Sequence, residues 1–181
     1  MNLAPGATFD EEKHEYWYKG KQLSGITGLI SKKLGLKYSN AFVSEHAEEG
    51  IHIHKAVQKW VETGNSESVH PGVQWVIEQL RYHDQFYSEV LISDLKQYAS
   101  AVDLIYDFAE QTSGNLHIFD IKKGKFNREY VTWQLSIYKY FIEKAAKYSV
   151  TKCACICIKD KEIYPIFPKS SGEVEKLLYG R

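Results

Sequence analysis

The sequence predicts an α/β fold: a central mixed β-sheet flanked by helices and opened by an N-terminal β-hairpin. Three observations carry this. A helical pattern over residues 40–62 precedes three strand-like runs, a second long helical pattern follows them over 129–148, and the β-branched, cysteine-rich run 150–158 reads as a central strand. The 181 residues suit one domain with a core of its own. That core spans about 40–158, with the hairpin and a short helix over 8–37 and a strand and helix over 159–181.

The elements follow from local chemistry. His14-Glu15-Tyr16-Trp17-Tyr18 is strand-forming and runs into the turn Lys19-Gly20-Lys21, which predicts a hairpin over 8–24. A short helix follows over 26–34, with Ser24 or Gly25 near its start. The long helix over 40–62 ends at Thr63-Gly64-Asn65, and the next begins at Pro71, where a missing backbone donor is harmless, and runs to 86. Strands are expected over 86–92, 98–108 and 116–122, the last two separated by the turn Thr112-Ser113-Gly114-Asn115. After the helix 129–148 and the strand 150–158, Lys159-Asp160-Lys161 turns into a strand over 162–167, and a tail helix is expected over 172–179.

Composition excludes several classes. Lys and Arg total 23, as do Asp and Glu, so the formal net charge is zero and bulk coating of duplex DNA is disfavoured. A local basic groove beside an acidic site remains compatible with that balance. No apolar run approaches the ~18 residues of a membrane helix, and Met1-Asn2-Leu3-Ala4-Pro5 lacks the basic and apolar regions of a signal peptide, so a soluble cytoplasmic protein without membrane contact is expected. Cys153, Cys155 and Cys157 alternate, which places them on one strand face as small buried groups rather than as a metal cluster.

Chemistry concentrates in Phe119-Asp120-Ile121-Lys122-Lys123-Gly124. Side chains two apart share a strand face, so Asp120 and Lys122 project together while Ile121 and Lys123 point away. An acid and a base ending an apolar strand are costly without partners. A divalent cation would supply one for the acid, and the lysine could orient or help deprotonate water, or offset charge on a phosphorane-like transition state. Asp-x-Lys at a strand end is by itself also the pattern of a surface ion pair.

In Ala101-Val102-Asp103-Leu104-Ile105 a second acid interrupts an apolar run, and an antiparallel pairing would set Asp103 beside Asp120, where two carboxylates repel unless a cation lies between them. Asp107 is roughly 13 Å further along the strand and reads as a turn acid. Glu89, within Tyr87-Ser88-Glu89-Val90-Leu91, is open to three readings: a ligand, a group that steadies a ligand, or a solvated acid. At 100° per residue, His54 falls in the middle of an apolar stripe formed by Ala47, Gly50, Ile51, Val57 and Val61, and His52 falls among charged residues. His54 is thus either a satisfied core histidine or a third ligand, with Gly50 one turn earlier leaving room for a close neighbour.

Gln134 and Tyr138 lie one turn apart on the helix after the catalytic strand and could reach a phosphate or base edge, or bridge helix to sheet. Between them and the strand lies the basic loop Lys122-Lys123-Gly124-Lys125-Phe126-Asn127-Arg128, suited to a nucleic-acid backbone.

In order, Gly50-x-x-x-His54, Glu89, Asp103, Asp120-x-Lys122 and Gln134-x-x-x-Tyr138 resemble the PD-(D/E)xK nuclease superfamily, most closely its RecB-like, phage-type exonuclease branch. The opening Leu23-Ser24-Gly25-Ile26-Thr27 is also similar to phage members, and the resemblance covers about residues 8–158. It implies a restriction-endonuclease-like core in the order α-β-β-β-α-β and a metal held by His54, Asp103, Asp120 and the carbonyl of Ile121. Lys122, Asp120, Asp103 and Glu89 would form the catalytic set. Gln134 and Tyr138 would support the site and contact the substrate strand, with Lys123, Lys125, Arg128, Ser24 and Thr27 as further nucleic-acid contacts. The cofactor implied is Mg²⁺ or Mn²⁺, without an iron–sulfur cluster, since no cysteine precedes Cys153. Where relatives carry glycine before the first acid, this chain has Ser100 or Ala101.

The expected activity is hydrolysis of DNA phosphodiesters, as an exonuclease in phage or bacterial recombination, replication or repair. The expected partners are DNA as single strands or duplex ends, and a single-strand-binding or recombination protein, with a homo-oligomer left open. The alternatives are an inactive nuclease fold serving as a DNA-binding or assembly subunit, and a structure-specific endonuclease.

Overall fold

The computed structural model describes residues 1–36, 43–65, 70–80, 85–107, 114–145 and 148–180, with the side chains of 43–48 left aside. Among these residues the protein is α/β, with an open mixed sheet of eight strands and five helices. The strands are β1 (Ala7–Asp10), β2 (Glu15–Tyr18), β3 (Lys21–Gly25), β4 (Phe86–Ser93), β5 (Tyr98–Asp107), β6 (Asn115–Lys122), β7 (Ser149–Cys157) and β8 (Glu162–Ile166). The helices are α1 (Ile26–Lys33), α2 (Val43–Thr63), α3 (Pro71–Leu80), α4 (Arg128–Ala145) and α5 (Ser171–Tyr179). No described helix is long and apolar enough to cross a membrane.

The N-terminal hairpin is larger than expected. β3 extends it to a three-stranded meander and pairs in parallel with β5 at Ser24–Tyr98 and Gly25–Ala99, welding the meander to the main sheet. The strand order is β1-β2-β3-β5-β6-β7-β8, with β4 on the other edge of β5. β6 and β7 run parallel, so the chain must cross over between them, and α4 makes that crossover. The turn residues Thr112 and Ser113, the helix start at Asn40, the strand end at Phe108 and the end of the helix expected to reach 86 fall partly or wholly outside the described residues. Of these segments the structure places Gly114, Asn115, Val43–Thr63 and Pro71–Leu80.

Two large cores cover the sheet, and a smaller cluster of Tyr16, Leu23 and Ala99 packs the meander against β5. On one face α1, α4 and α5 pack over Ile118, Val150, Cys153 and Cys155; on the other α2 and α3 pack over Leu104, Phe119, Ala154 and Ile156. Alternation along β6 assigns Leu116, Ile118, Asp120 and Lys122 to the α4 face, and Phe119 and Ile121 to the α2–α3 face. The three cysteines are free and buried in β7, as small apolar packing groups.

The start of α3 lies very close to Ile158, the residue after β7. A Cβ at Gly72 would clash with Ile158 Cγ2 and lie 3.2 Å from His70 Nδ1. Gly72→Ala therefore overpacks this contact and destabilises the fold by about 1–3 kcal/mol, read as a lower denaturant midpoint at unchanged m-value. A wild-type midpoint for the variant would show that α3 is free to move away from Ile158.

Candidate metal and nuclease centre

β5 is bordered on one edge by two different strands. The ladder to β3 stops at Ala99, and the ladder to β6 begins at Leu104 opposite Phe119. Asp103 sits in the interval, where β6 diverges, and its Oδ2 takes the place of the missing ladder acceptor by receiving the Ile121 N–H at 2.6 Å. Continued one step, the β5–β6 register sets Asp103 opposite Asp120. On the other edge, the β4–β5 pairs run unshifted through Ser88–Leu104 and Val90–Val102, which places Glu89 across from Asp103. Regular geometry breaks at this level. Val102 and Leu104 pack into different cores although they are two apart, and Glu89 has φ 49°. A left-handed conformation at a non-glycine residue stores strain, and such strain clusters at functional positions.

Helix α2 completes the cluster. His54 Nδ1 lies 3.0 Å from Glu89 Oε1 and 3.8 Å from Asp103 Oδ1. The three residues offer ligand atoms within 4.8 Å of one another, an arrangement that could hold a metal ion. One imidazole and two carboxylates form a hard-to-borderline donor set suited to a divalent cation. Without a metal, the charge of Asp103 outweighs burial and, with the Glu89 hydrogen bond, raises the His54 imidazole to about 9, so a proton occupies the edge that faces both acids.

The helical phase read from sequence needs correction. Ile51 is 53 % exposed, whereas Ile53 and Val57 are buried. The core-facing stripe of α2 follows Ile53, Val57 and the partly buried Trp60, centred roughly 90° round the helix from His54. His54 borders that stripe, half-buried, because α2 lies across the sheet next to the divergence of β5 and β6. His52 is exposed. Gly50 has no neighbour within 4 Å of where a Cβ would sit; it lines an open cleft rather than a close contact.

Asp120 and Lys122 lie beside this cluster. Asp120 is fully buried, its Oδ1 accepts from Lys122 Nζ at 2.8 Å, and Cys155 Sγ is 3.9 Å from its Oδ2. Burial pushes the Asp120 carboxyl up to about 6, against the pull of the Lys122 charge. Burial works to lower Lys122, but the carboxylates of Asp120 and Asp103 outweigh it and hold the ammonium well above its ordinary value. At neutral pH the pair is charged, and Lys122 is a fixed positive charge rather than a free base.

The remaining candidates divide. Gln134 and Tyr138 are buried, Gln134 Nε2 donates to Tyr138 Oη at 2.7 Å, and Ser100 Oγ donates to the same oxygen at 3.3 Å. This is the helix-to-sheet bridge, with the Tyr138 phenol pushed well above its usual range by burial. Ile121 is buried, and its N–H is engaged by Asp103. Asp107 is the last residue of β5 and buried, not a turn acid. Ser24 and Thr27 are exposed on β3 and α1, and Arg128 Nη2 donates to the Pro165 carbonyl.

Lys123 and Lys125 line a cleft of about 750 Å³ that also reaches His54 and Lys122. Residues not singled out from sequence join it: Glu49, ion-paired with Lys123 and 3.6 Å from His70, and Lys159 and Lys161 of the β7–β8 turn. Glu49 directly precedes Gly50, which is the only local hint of its place; nothing local marks the turn lysines.

No protein-family model matches this chain, and no curated protein is detectably similar to it.

Proposed function

We propose that this chain is a divalent-metal-dependent nuclease with a restriction-endonuclease-like core, of the PD-(D/E)xK type and its RecB-like branch, that hydrolyses DNA phosphodiesters as an exonuclease in recombination, replication or repair. The observation that carries the proposal is the convergence of His54, Glu89 and Asp103 beside the buried Asp120–Lys122 pair. Like-charged carboxylates this close favour a cation between them, and a lysine held charged at the same place suits a phosphate that gains negative charge as it reacts.

A cation held by these residues would activate water and offset charge on the phosphate oxygens. His54 and Glu89 fix one side of the site from α2 and β4. Asp103 faces it with Oδ1 while Oδ2 anchors the side chain to β6. Asp120 orients Lys122 through their hydrogen bond. The Lys122 ammonium then stabilises the transition state as water adds to phosphorus and the opposite P–O ester bond breaks, the water's proton leaving and the departing oxygen being protonated.

Two measurements test this. Millimolar Mn²⁺ or Mg²⁺ should raise the melting temperature by several degrees, because ligand at about a hundred times Kd contributes about 2.7 kcal/mol to the native state. With metal, end-labelled linear DNA should be degraded progressively and closed circular DNA spared, and Asp120→Asn should abolish cleavage. A protein that binds DNA but never cuts it with either metal would be the nuclease-fold binding subunit, and cutting of closed circles would make it an endonuclease.

A further inference from the structure

The cleft beside the metal centre is more basic than the chain as a whole. Among the described residues its rim carries five lysines, Lys122, Lys123, Lys125, Lys159 and Lys161, together with His70, against one acid, Glu49, in a protein whose formal net charge is zero. Charge concentrated on one concave surface of a neutral molecule selects a polyanion locally. Two of these lysines come from a segment remote in sequence. The β6–β7 pairing continues past the strand ends, with Ile158 N–H donating to the Lys122 carbonyl and Lys159 N–H to the Lys123 carbonyl, each at 2.9 Å. The β7–β8 turn is thereby held alongside the 122–125 loop, and a Cβ at Gly124 would touch the Lys159 side chain at 3.6 Å. Lys159 and Lys161 are exposed at the rim, two residues apart. Asp160 between them turns away, accepting from Cys157 Sγ and Tyr164 Oη.

We infer that the β7–β8 turn is the outer wall of a phosphate-tracking groove that takes one nucleic-acid strand, and that Lys159 and Lys161 hold phosphates adjacent to the bond at the metal centre. This rests on the nuclease proposal for its substrate class but makes a separate claim about binding. The volume is that of a pocket for one drug-sized ligand, a scale that matches the breadth of a single strand better than that of a duplex. The polar lining is built from point charges, with no Asn, Gln or Arg among the described residues that line it, so these offer phosphates a grip and base edges no bidentate partner. Binding is therefore independent of base sequence.

The test is fluorescence anisotropy with a labelled single-stranded oligonucleotide of about 12 nucleotides, in EDTA so that no cleavage occurs, across a range of KCl. Lys159→Ala/Lys161→Ala should bind roughly tenfold more weakly and lower the slope of log K against log salt by about 1.4, at about 0.7 for each phosphate no longer neutralised. Lys159→Arg/Lys161→Arg should retain binding. Lys13→Ala/Lys176→Ala, a pair of exposed lysines outside the cleft, should match the wild type. Oligo-dT and oligo-dA should bind alike, and a hairpin-closed duplex more weakly.

Wild-type affinity in the turn double variant, an equal loss in the control pair, a strong base preference, or tighter binding of the duplex would each overturn the inference. The two readings fail separately. Strand binding through the turn lysines without cleavage in Mg²⁺ or Mn²⁺ sinks only the nuclease, and cleavage that ignores these lysines sinks only the groove.

Discussion

Lys122→Ala should lower single-turnover DNA cleavage by about a hundredfold or more, the scale of removing one charged transition-state stabiliser. The ammonium is hydrogen-bonded to a fully buried carboxylate and held protonated by Asp120 and Asp103, so its charge is present before the phosphate arrives. DNA affinity should fall only slightly, because binding is shared among the lysines of the cleft. Lys123→Ala is the natural comparison. Its ammonium pairs with Glu49 across the cleft, on the α2 side, and its loss should reduce affinity modestly while leaving turnover within a few-fold. Removing Lys122 also leaves Asp120 buried without its cation, so the variant should be less stable, and cleavage must be measured below its melting temperature. Equal single-turnover rates for Lys122→Ala and wild type would remove the lysine from the mechanism.

Two substitutions at Asp103 should separate its structural and chemical roles. Asp103→Ala strips the Ile121 N–H of its acceptor at a buried position, which costs about 1–3 kcal/mol, or about 2–4 °C in melting temperature per kcal/mol for a domain of this length. Asp103→Asn keeps an oxygen for that N–H and removes only the charge. The metal-free asparagine variant should therefore melt near the wild type and the alanine variant well below it, while neither shows the wild-type rise with Mn²⁺ and neither cleaves. Retention of the full Mn²⁺ shift by Asp103→Asn would show that the carboxylate is not a ligand. Equal stability of the two variants in the absence of metal would show that the Ile121 bond contributes nothing.

Most elements were legible because strand and helix periods are local properties. The alternation through β6 placed Asp120 and Lys122 together, and their side chains do meet at 2.8 Å; Lys123 pairs with Glu49 instead, although both lysines line the cleft. The phase of α2 misled by about one residue. The count of apolar side chains favoured a stripe that includes Ile51, but burial depends on where the helix lies on the sheet, and α2 buries Ile53 and leaves Ile51 in solvent. Glu89 could not be ranked from its own strand, because its significance lies in being across from Asp103 and within 3.0 Å of a histidine on a different element.

What the sequence by itself determined is the set of elements and the residues able to do chemistry: acids within or ending apolar strands, a lysine two residues from one of them, and a histidine on an apolar helical face. These depend on periodicity and on the cost of burying charge, both readable over a few neighbours. Only the tertiary structure decided which of them meet. The divergence of β5 from β6 between Ala99 and Leu104 brings Asp103 to His54 and Glu89, with the Asp120–Lys122 pair beside them. The same packing buries Gln134 and Tyr138 as a brace and carries Lys159 and Lys161 to the cleft from a turn with no local mark of function. Such pairings are set by strand order and by how far each ladder continues, quantities that belong to the assembled sheet and to no single segment of the chain.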